Sequence, residues 1–248
     1  MLDCFGISDV GKVRGNNEDA WLLQPLATGQ WLLLVADGVG GRDAGEVASR
    51  TTVAVFEQLA SAGKLDPASD PALAPLLLGM AAQKAHVTVA SEAALAGQQA
   101  AMSCTLSVAL ISDARADLLQ VGDSRIYRWH ADDLQQLTKD QTVAMQLLHD
   151  GRISPAQLAT HPDRNTLSQS IGLEASGAPL TPVHCESLLA AGDRLLLCSD
   201  GLTDMVPDTT IATLLAAHDT AQAAARALLQ AALDAGGKDN VTVLVAKV

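Results

Sequence analysis

Hydrophobic and polar positions along the chain fall into short apolar runs and longer amphipathic stretches, and the two kinds come in blocks. Residues 2–9, 20–24, 31–36, 103–111, 116–121, 124–129, 183–188, 194–199 and 240–247 are short, apolar and bounded by Gly, Asp or Asn, which predicts strands. Apolar residues at helical spacing predict a helix from Gly45-Glu46 to near Ala62 and a second that follows Pro71 and Pro75 and runs through Leu95. A third spans Thr220 to Leu233 and stops at Gly236-Gly237, a common helix ending. The regular alternation of a doubly wound parallel sheet is absent from this order. Residues 61–75 form a Pro/Asp/Ser linker too short to divide the chain. Residues 139–180 mix a short helix near Thr142–Leu148 with polar Gly/Pro segments and read as an inserted flap. The pattern is that of one domain, residues 1–248, carrying that flap.

Acidic residues stand at the ends of these strands. Asp37-Gly38 ends the run 31–36, Asp200-Gly201 ends 194–199, and Asp123 follows Val121-Gly122. In the other direction, Glu18-Asp19 precedes 20–24 and Asp239-Asn240 precedes Val241. A short Thr-Gly loop joins 20–24 to 31–36, so an antiparallel pair would set Asp19 beside Asp37. The same logic brings Asp200 to Asp239 if 194–199 pairs with 240–247. A single Asp-Gly after a strand is the ordinary signature of a turn. Several at matching ends would repel one another unless hard divalent cations, completed by water, neutralised them. That pattern points to a dinuclear metal site.

Composition narrows the classes of function. Hydrophobic residues make up 48% of 248 residues, enough for a sizeable core. No apolar run reaches the ~18–20 residues of a membrane span. The start Met1-Leu2-Asp3-Cys4 lacks the basic, apolar character of a signal peptide, so the expected location is the cytoplasm. Cys4, Cys104, Cys185 and Cys198 show no metal-ligand spacing and read as reduced, mostly buried thiols. Aromatic content of 2% and a net charge of −12 argue against a nucleic-acid surface.

The same segments carry a family resemblance. Gly11-Lys12-Val13-Arg14-Gly15-Asn16-Asn17-Glu18-Asp19-Ala20 resembles the opening motif of the metal-dependent protein phosphatases, the type 2C serine/threonine family. Asp37-Gly38-Val39-Gly40-Gly41 with Gly45-Glu46-Val47-Ala48-Ser49 is similar to its second motif. Val121-Gly122-Asp123-Ser124-Arg125-Ile126-Tyr127, Leu197-Cys198-Ser199-Asp200-Gly201-Leu202-Thr203-Asp204 and Gly237-Lys238-Asp239-Asn240-Val241-Thr242 are similar to three more. Leu137-Thr138-Lys139-Asp140 and His161-Pro162-Asp163-Arg164-Asn165 resemble its flap signatures. Each match is short; seven in the family's order, from residue 8 to 243, are specific.

The resemblance implies a small bacterial-type member of the α+β class, a four-layer α-β-β-α sandwich of two stacked antiparallel sheets flanked by helices. It implies hydrolysis of phosphoserine and phosphothreonine by a water or hydroxide bridging two Mn²⁺ or Mg²⁺ ions, in opposition to a bacterial Ser/Thr kinase. Asp37, Asp200 and Asp239 would hold the first ion, and Asp37 with the Gly38 carbonyl the second. Glu18 would act on the second ion through water, with Asp19 one layer further out. A weaker third ion is expected at Asp123 and Asp200. Arg14 matches the family's phosphate-binding arginine, and His161, Arg164 and Asn165 belong to the flap that meets substrate. The implied partners are phosphorylated proteins and a cognate kinase, for a monomer with no nucleic-acid or membrane partner.

Three departures stand out. Val39 occupies the position of a histidine in animal-type members; small bacterial members commonly have an apolar residue there, which leaves leaving-group protonation to metal-bound water or the flap. Ser103-Cys104-Thr105 replaces the family's Gly-Thr-Thr, and Ser168-Gln169-Ser170 stands where a threonine-arginine pair often follows the flap motif. Other features carry less. Gly38 to Gly45 lacks the Lys-Ser/Thr ending of a P-loop. Ser199-Asp200 with His184 lacks a nucleophile elbow. Trp21 and Trp31 read as core or strand-face residues, and His161 as either a substrate contact or a surface turn. Arg125 is expected to brace the Asp123 loop through a salt bridge. Two other roles compete with the general phosphatase: a weakly active docking domain, against which intact Asp37, Asp200 and Asp239 argue, and a phosphatase of one dedicated regulator.

Overall fold

Two five-stranded antiparallel sheets, stacked face to face, organise a computed structural model that describes residues 2–40, 44–67, 70–97, 101–173 and 179–248. Strands β1 (Asp3–Asp9), β2 (Ala20–Pro25), β3 (Trp31–Ala36) and β4 (Gly38–Val39) lead into helices α1 (Ala44–Ser61) and α2 (Ala74–Ala96). Next come β5 (Ser103–Cys104), β6 (Leu106–Ser112), β7 (Arg115–Val121), β8 (Arg125–His130) and β9 (Asp133–Gln136). The flap contributes α3 (Val143–His149) and α4 (Pro155–Leu158). The chain finishes with β10 (Val183–Leu188), β11 (Arg194–Cys198), α5 (Asp200–Thr203), α6 (Asp208–Ala217), α7 (Ala221–Asp234) and β12 (Val241–Lys247). One sheet runs β1-β12-β11-β8-β9, the other β10-β7-β6-β3-β2.

The apolar runs explain the stacking. In β3 the side chains of Leu33 and Val35 join Leu195, Leu197 and Leu244 of the opposite sheet, while Leu32, Leu34 and Ala36 face Phe56 of α1 and Leu78 and Val89 of α2. The strand is buried on both faces, so it reads as a continuous apolar run rather than an alternation. On the far side Leu196, Val243 and Val245 meet Leu215 of α6 and Leu228 of α7. The resulting order is helix, sheet, sheet, helix, as expected. Helix α2 begins with Pro75 in its first turn and ends at Gly97, whose φ of 67° is left-handed. Helix α7 is capped by the Thr220 hydroxyl, which accepts from the Ala223 N–H at 3.2 Å.

The structure departs from the expected elements in a few places. The run 103–111 is two strands, because Thr105 turns aside: its N–H donates to the Asp37 carbonyl at 2.8 Å and its hydroxyl accepts from the Asp37 N–H at 2.9 Å. That detour leaves β5 to pair with β4 as a separate ribbon. Strand 194–199 ends at Cys198, and Asp200-Gly201 opens helix α5 rather than a simple turn. Strand β9 and helices α4 and α6 had no clear periodic signal; α6 contains three β-branched residues beside its buried Ile211 and Leu215. Gly41 of the second motif, Ala68 and Ser69 of the linker and residues 174–178 of the flap lie outside the described residues. Among the described residues no helix is long and apolar enough to cross a membrane, and the four cysteines are free thiols.

Leu197 sits fully buried between the sheets. Leu197→Ala is expected to destabilise the fold by about 2–5 kcal/mol through lost transfer energy and a residual cavity. The check is a urea titration in which the midpoint falls while the slope stays unchanged.

Candidate active site

Strand register brings the carboxylates together as their positions predict. Ala20 pairs with Ala36, which sets Asp19 beside Asp37, and Cys198 pairs with Val243, which sets Asp200 and Asp239 at one edge. The two edges face each other. Asp19 bridges them, its Oδ2 accepting from the Ser199 hydroxyl at 2.8 Å and the Thr242 hydroxyl at 2.6 Å. The Thr105 hydroxyl, 2.6 Å from that of Ser124, ties the backbone of Asp37 to the loop of Asp123. Above these contacts lies an open cleft of about 930 Å³, lined by Arg14, Glu18, Asp37, Gly38, Asp123, Asp200 and Asp239 among others.

So much acid in one cleft raises every affected carboxyl. Burial pushes Asp19 up to about 6 against the two hydroxyl donors that lower it. Burial, then Asp204 and Asp239, lifts Asp200 to about 7. Burial and Asp200 carry Asp123 to about 8, and Asp37, central to the group, is also held well above the carboxylate range by burial and then Asp19. Arg14 gives partial relief: its Nη2 lies 2.7 Å from Asp239 Oδ2, and this hydrogen bond raises the guanidinium pKa further. The pair is more than a third exposed on both sides, so it adds little to stability.

The residues fit a pair of hard divalent cations. All donors are oxygens. Asp19 Oδ1 is buried and finds no hydrogen-bond donor among the described residues. Gly45 has no room for a side chain, since a Cβ there would stand 2.5 Å from Glu18 Oε2 and 2.9 Å from the Gly38 carbonyl oxygen, so its bareness lets Glu18 and Gly38 pack together. Among the described residues no three acidic, imidazole or thiol side chains converge into a ready-made cage.

Other expected residues divide. Val39 lies at the mouth, 42% exposed, so no imidazole stands there. Asn165 reaches the cleft and donates to Asp204 Oδ2 at 3.0 Å. Arg164 lines a neighbouring cavity of about 250 Å³ together with Asp123 and Asp200. His161 lines neither; its Nδ1 accepts from the Asp163 N–H at 3.1 Å, the geometry of a turn. The expected salt bridge of Arg125 with the Asp123 loop is corrected: the guanidinium grips Asp140 instead, with Nη2 2.7 Å from Oδ2, because Asp140 returns beside β8 at the base of the flap. His184 is on the opposite sheet from β11, near Gly79 of α2, which removes any triad with Ser199. Trp21 lies on Gly6 across the sheets, a strand-face role.

Sequence reasoning gave no role to Asp204, Asn240, Ser199 or Thr242. Asp204 could have been found, since four residues past Asp200 it shares a helical face. The hydroxyls could not, because their partner Asp19 is distant in sequence.

A consequence follows for stability without metal. Asp19, Asp200 and Asp123 titrate higher in the folded state than the ordinary carboxylate value, so between about pH 4 and 8 the folded chain binds more protons than the unfolded one. Stability of the metal-free protein should therefore fall as pH rises through 6 to 8. Thermal melts in EDTA should show Tm decreasing over that range, and saturating Mn²⁺ should abolish most of the slope; a Tm that rises with pH in EDTA would contradict this electrostatic account.

Comparison with known proteins agrees with the geometry. The family described as Protein phosphatase 2C matches residues 12–235. The serine/threonine protein phosphatase PstP of Mycobacterium tuberculosis is 39% identical over 241 residues, 97% of this chain; the chain spans 44% of that relative's length. The serine/threonine phosphatase stp of Listeria monocytogenes is 33% identical over 245 residues, covering 96% of this chain and 92% of the relative. The crystal structure of the catalytic domain of PstP in complex with two manganese ions superposes with a TM-score of 0.83 at 35% identity, over 99% of this chain and 97% of that one. The chain belongs to the protein phosphatase 2C family.

Proposed function

We propose that the chain is a metal-dependent serine/threonine protein phosphatase whose single catalytic domain spans residues 1–248 and carries the flap. The observation that carries this reading is the meeting of Asp37, Asp200, Asp239, Asp123 and Glu18 with Arg14 at one cleft. Asp37, Asp200 and Asp239 would hold one Mn²⁺ or Mg²⁺, Asp37 and the Gly38 carbonyl another, with Glu18 acting through water. Asp123 and Asp200 would take a weaker third. Such ions supply a water acidic enough to act as nucleophile near neutral pH and offset the charge of the phosphoryl group.

The chain's own residues do the rest. Arg14, at the cleft beside Asp239, would clasp phosphoryl oxygens through its planar fork. Asp19, fixed by Ser199 and Thr242, stands behind Asp37 and helps to hold the two sheet edges together. Val39 offers no proton, so the leaving oxygen takes one from water. None of the cysteines takes part; burial pushes Cys104 and Cys198 up to about 12, far from a reactive thiolate. Substrates are phosphorylated proteins, set against a cognate Ser/Thr kinase, and the free thiols suit a reducing cytoplasm. The protein acts as a monomer.

The test is turnover of a phosphothreonine peptide with Mn²⁺. Activity should vanish in EDTA and survive thiol alkylation; full turnover by metal-free protein would sink the reading. Asp37→Asn and Asp239→Asn should each lower kcat by orders of magnitude while the metal-free protein stays folded by circular dichroism. Arg14→Ala should chiefly raise KM, leaving Mn²⁺ affinity near wild type by calorimetry; an effect on kcat alone would mean its contact forms only in the transition state. Asp123→Ala should keep two tightly bound ions and slow the chemical step, and unchanged turnover on a phosphopeptide would remove its assigned role.

A further inference from the structure

Asn240 immediately precedes β12 and is a buried polar side chain at the mouth of the cleft. Its amide is spent entirely on the backbone of the segment between β1 and β2. Oδ1 accepts from the Glu18 N–H at 2.8 Å, and Nδ2 donates to the carbonyls of Val10 at 3.0 Å and Asn16 at 2.9 Å. The orientation is forced, since a reversed amide would set oxygen against two carbonyls and N–H against N–H. The Asn240 backbone N–H also donates to Asp239 Oδ1 at 2.9 Å. On its other side the Glu18 carbonyl accepts from the Gly38 N–H at 3.1 Å and the Ser49 hydroxyl at 2.5 Å. The Glu18 backbone is thus gripped from the turn before β12 on one side and from β4 and α1 on the other. The described chain from residue 10 to 19 has no helix or strand of its own, yet it carries both Arg14 and Glu18.

We infer that Asn240 is a positioning residue, its side-chain amide setting the loop that presents Arg14 to phosphate and Glu18 to the cations. This rests on the phosphatase reading of Arg14. Loss of the amide leaves two buried carbonyls and one N–H without partners, and the loop relaxes toward water. The strands need not follow, because β12 keeps its ladders with β1 and β11.

The experiment compares wild type, Arg14→Ala, Asn240→Ala and the double variant. Inorganic phosphate binding to the Mn²⁺-loaded protein is measured by calorimetry, and KM and kcat on a phosphothreonine peptide are read alongside. Asn240→Ala should weaken phosphate binding and raise KM by about tenfold, with a smaller change in kcat. The double variant should bind phosphate more tightly than the two single losses added together predict, as expected when one residue acts in part through the other. Hydrogen exchange on metal-free protein should quicken in residues 10–18 while β11 and β12 stay protected. Additive losses, an unchanged KM, or exchange that quickens equally in β12 would each overturn the inference. Should Asn240→Ala fail to fold, Asn240→Asp, which keeps the acceptor and removes the donors, is judged by the same readouts. A wild-type protein without phosphatase activity would remove the functional reading, and the exchange comparison would still decide whether Asn240 holds the loop.

Discussion

Mutual repulsion among carboxylates at the facing sheet edges is the constraint on which the site depends. Asp19, Asp37, Asp123 and Asp200 all sit where burial and one another's charge disfavour ionisation. A core would not assemble such a group for stability, since unpaired buried charge is costly. What keeps the edges in place is the surrounding apolar mass between and outside the sheets, together with short hydroxyl tethers, from Thr105 to the Asp37 backbone and from Ser199 and Thr242 to the Asp19 carboxylate. Thr105, Ser124, Ser199 and Thr242 are all buried and all bonded across elements. The scaffold therefore holds the acidic groups together against their mutual repulsion.

The departures from the family pattern are absorbed by this scaffold in different ways. Cys104 makes backbone pairs to Gly38 and to Ile171, and its thiol lies 3.1 Å from the Thr52 hydroxyl. The ribbon beside Gly38 thus depends on main chain, and a thiol can replace a hydroxyl there. Ser168 and Gln169 serve the base of the flap: the Ser168 N–H donates to the Gln141 carbonyl at 2.8 Å, and Gln169 Oε1 accepts from the Thr181 N–H at 3.2 Å. Ser170 is the member of that trio that reaches the cleft.

Much of the fold was legible because each sheet is covered on both faces, so its strands announce themselves as unbroken apolar runs bounded by turn residues. Pairing of 20–24 with 31–36 and of 194–199 with 240–247 was enough to place Asp19, Asp37, Asp200 and Asp239 at facing edges. What stayed hidden depends on contacts between distant segments. The break at Thr105 arises from its bonds to Asp37, the choice of Asp140 by Arg125 from the path of the flap, and the partnership of Asp19 with Ser199 and Thr242 from the stacking of the two sheets. Short α4 and α5 carry too few turns for periodicity to register.

Strand β1 pairs along its whole length with β12, from Asp3 opposite Lys247 to Asp9 opposite Val241. The loop bearing Arg14 and the turn bearing Asp239 are thereby neighbours in space although separated by nearly the entire sequence. During synthesis the segment with Arg14 emerges before Asp37, Asp123 and Asp200, and the turn with Asp239 emerges after them. A nascent chain that has reached α7 already holds Asp37, Asp123 and Asp200, yet β1 still lacks its neighbour and Arg14 its anchor. Pairing of β1 with β12 and completion of the cleft are therefore one event, which cannot precede synthesis of the turn at Asp239.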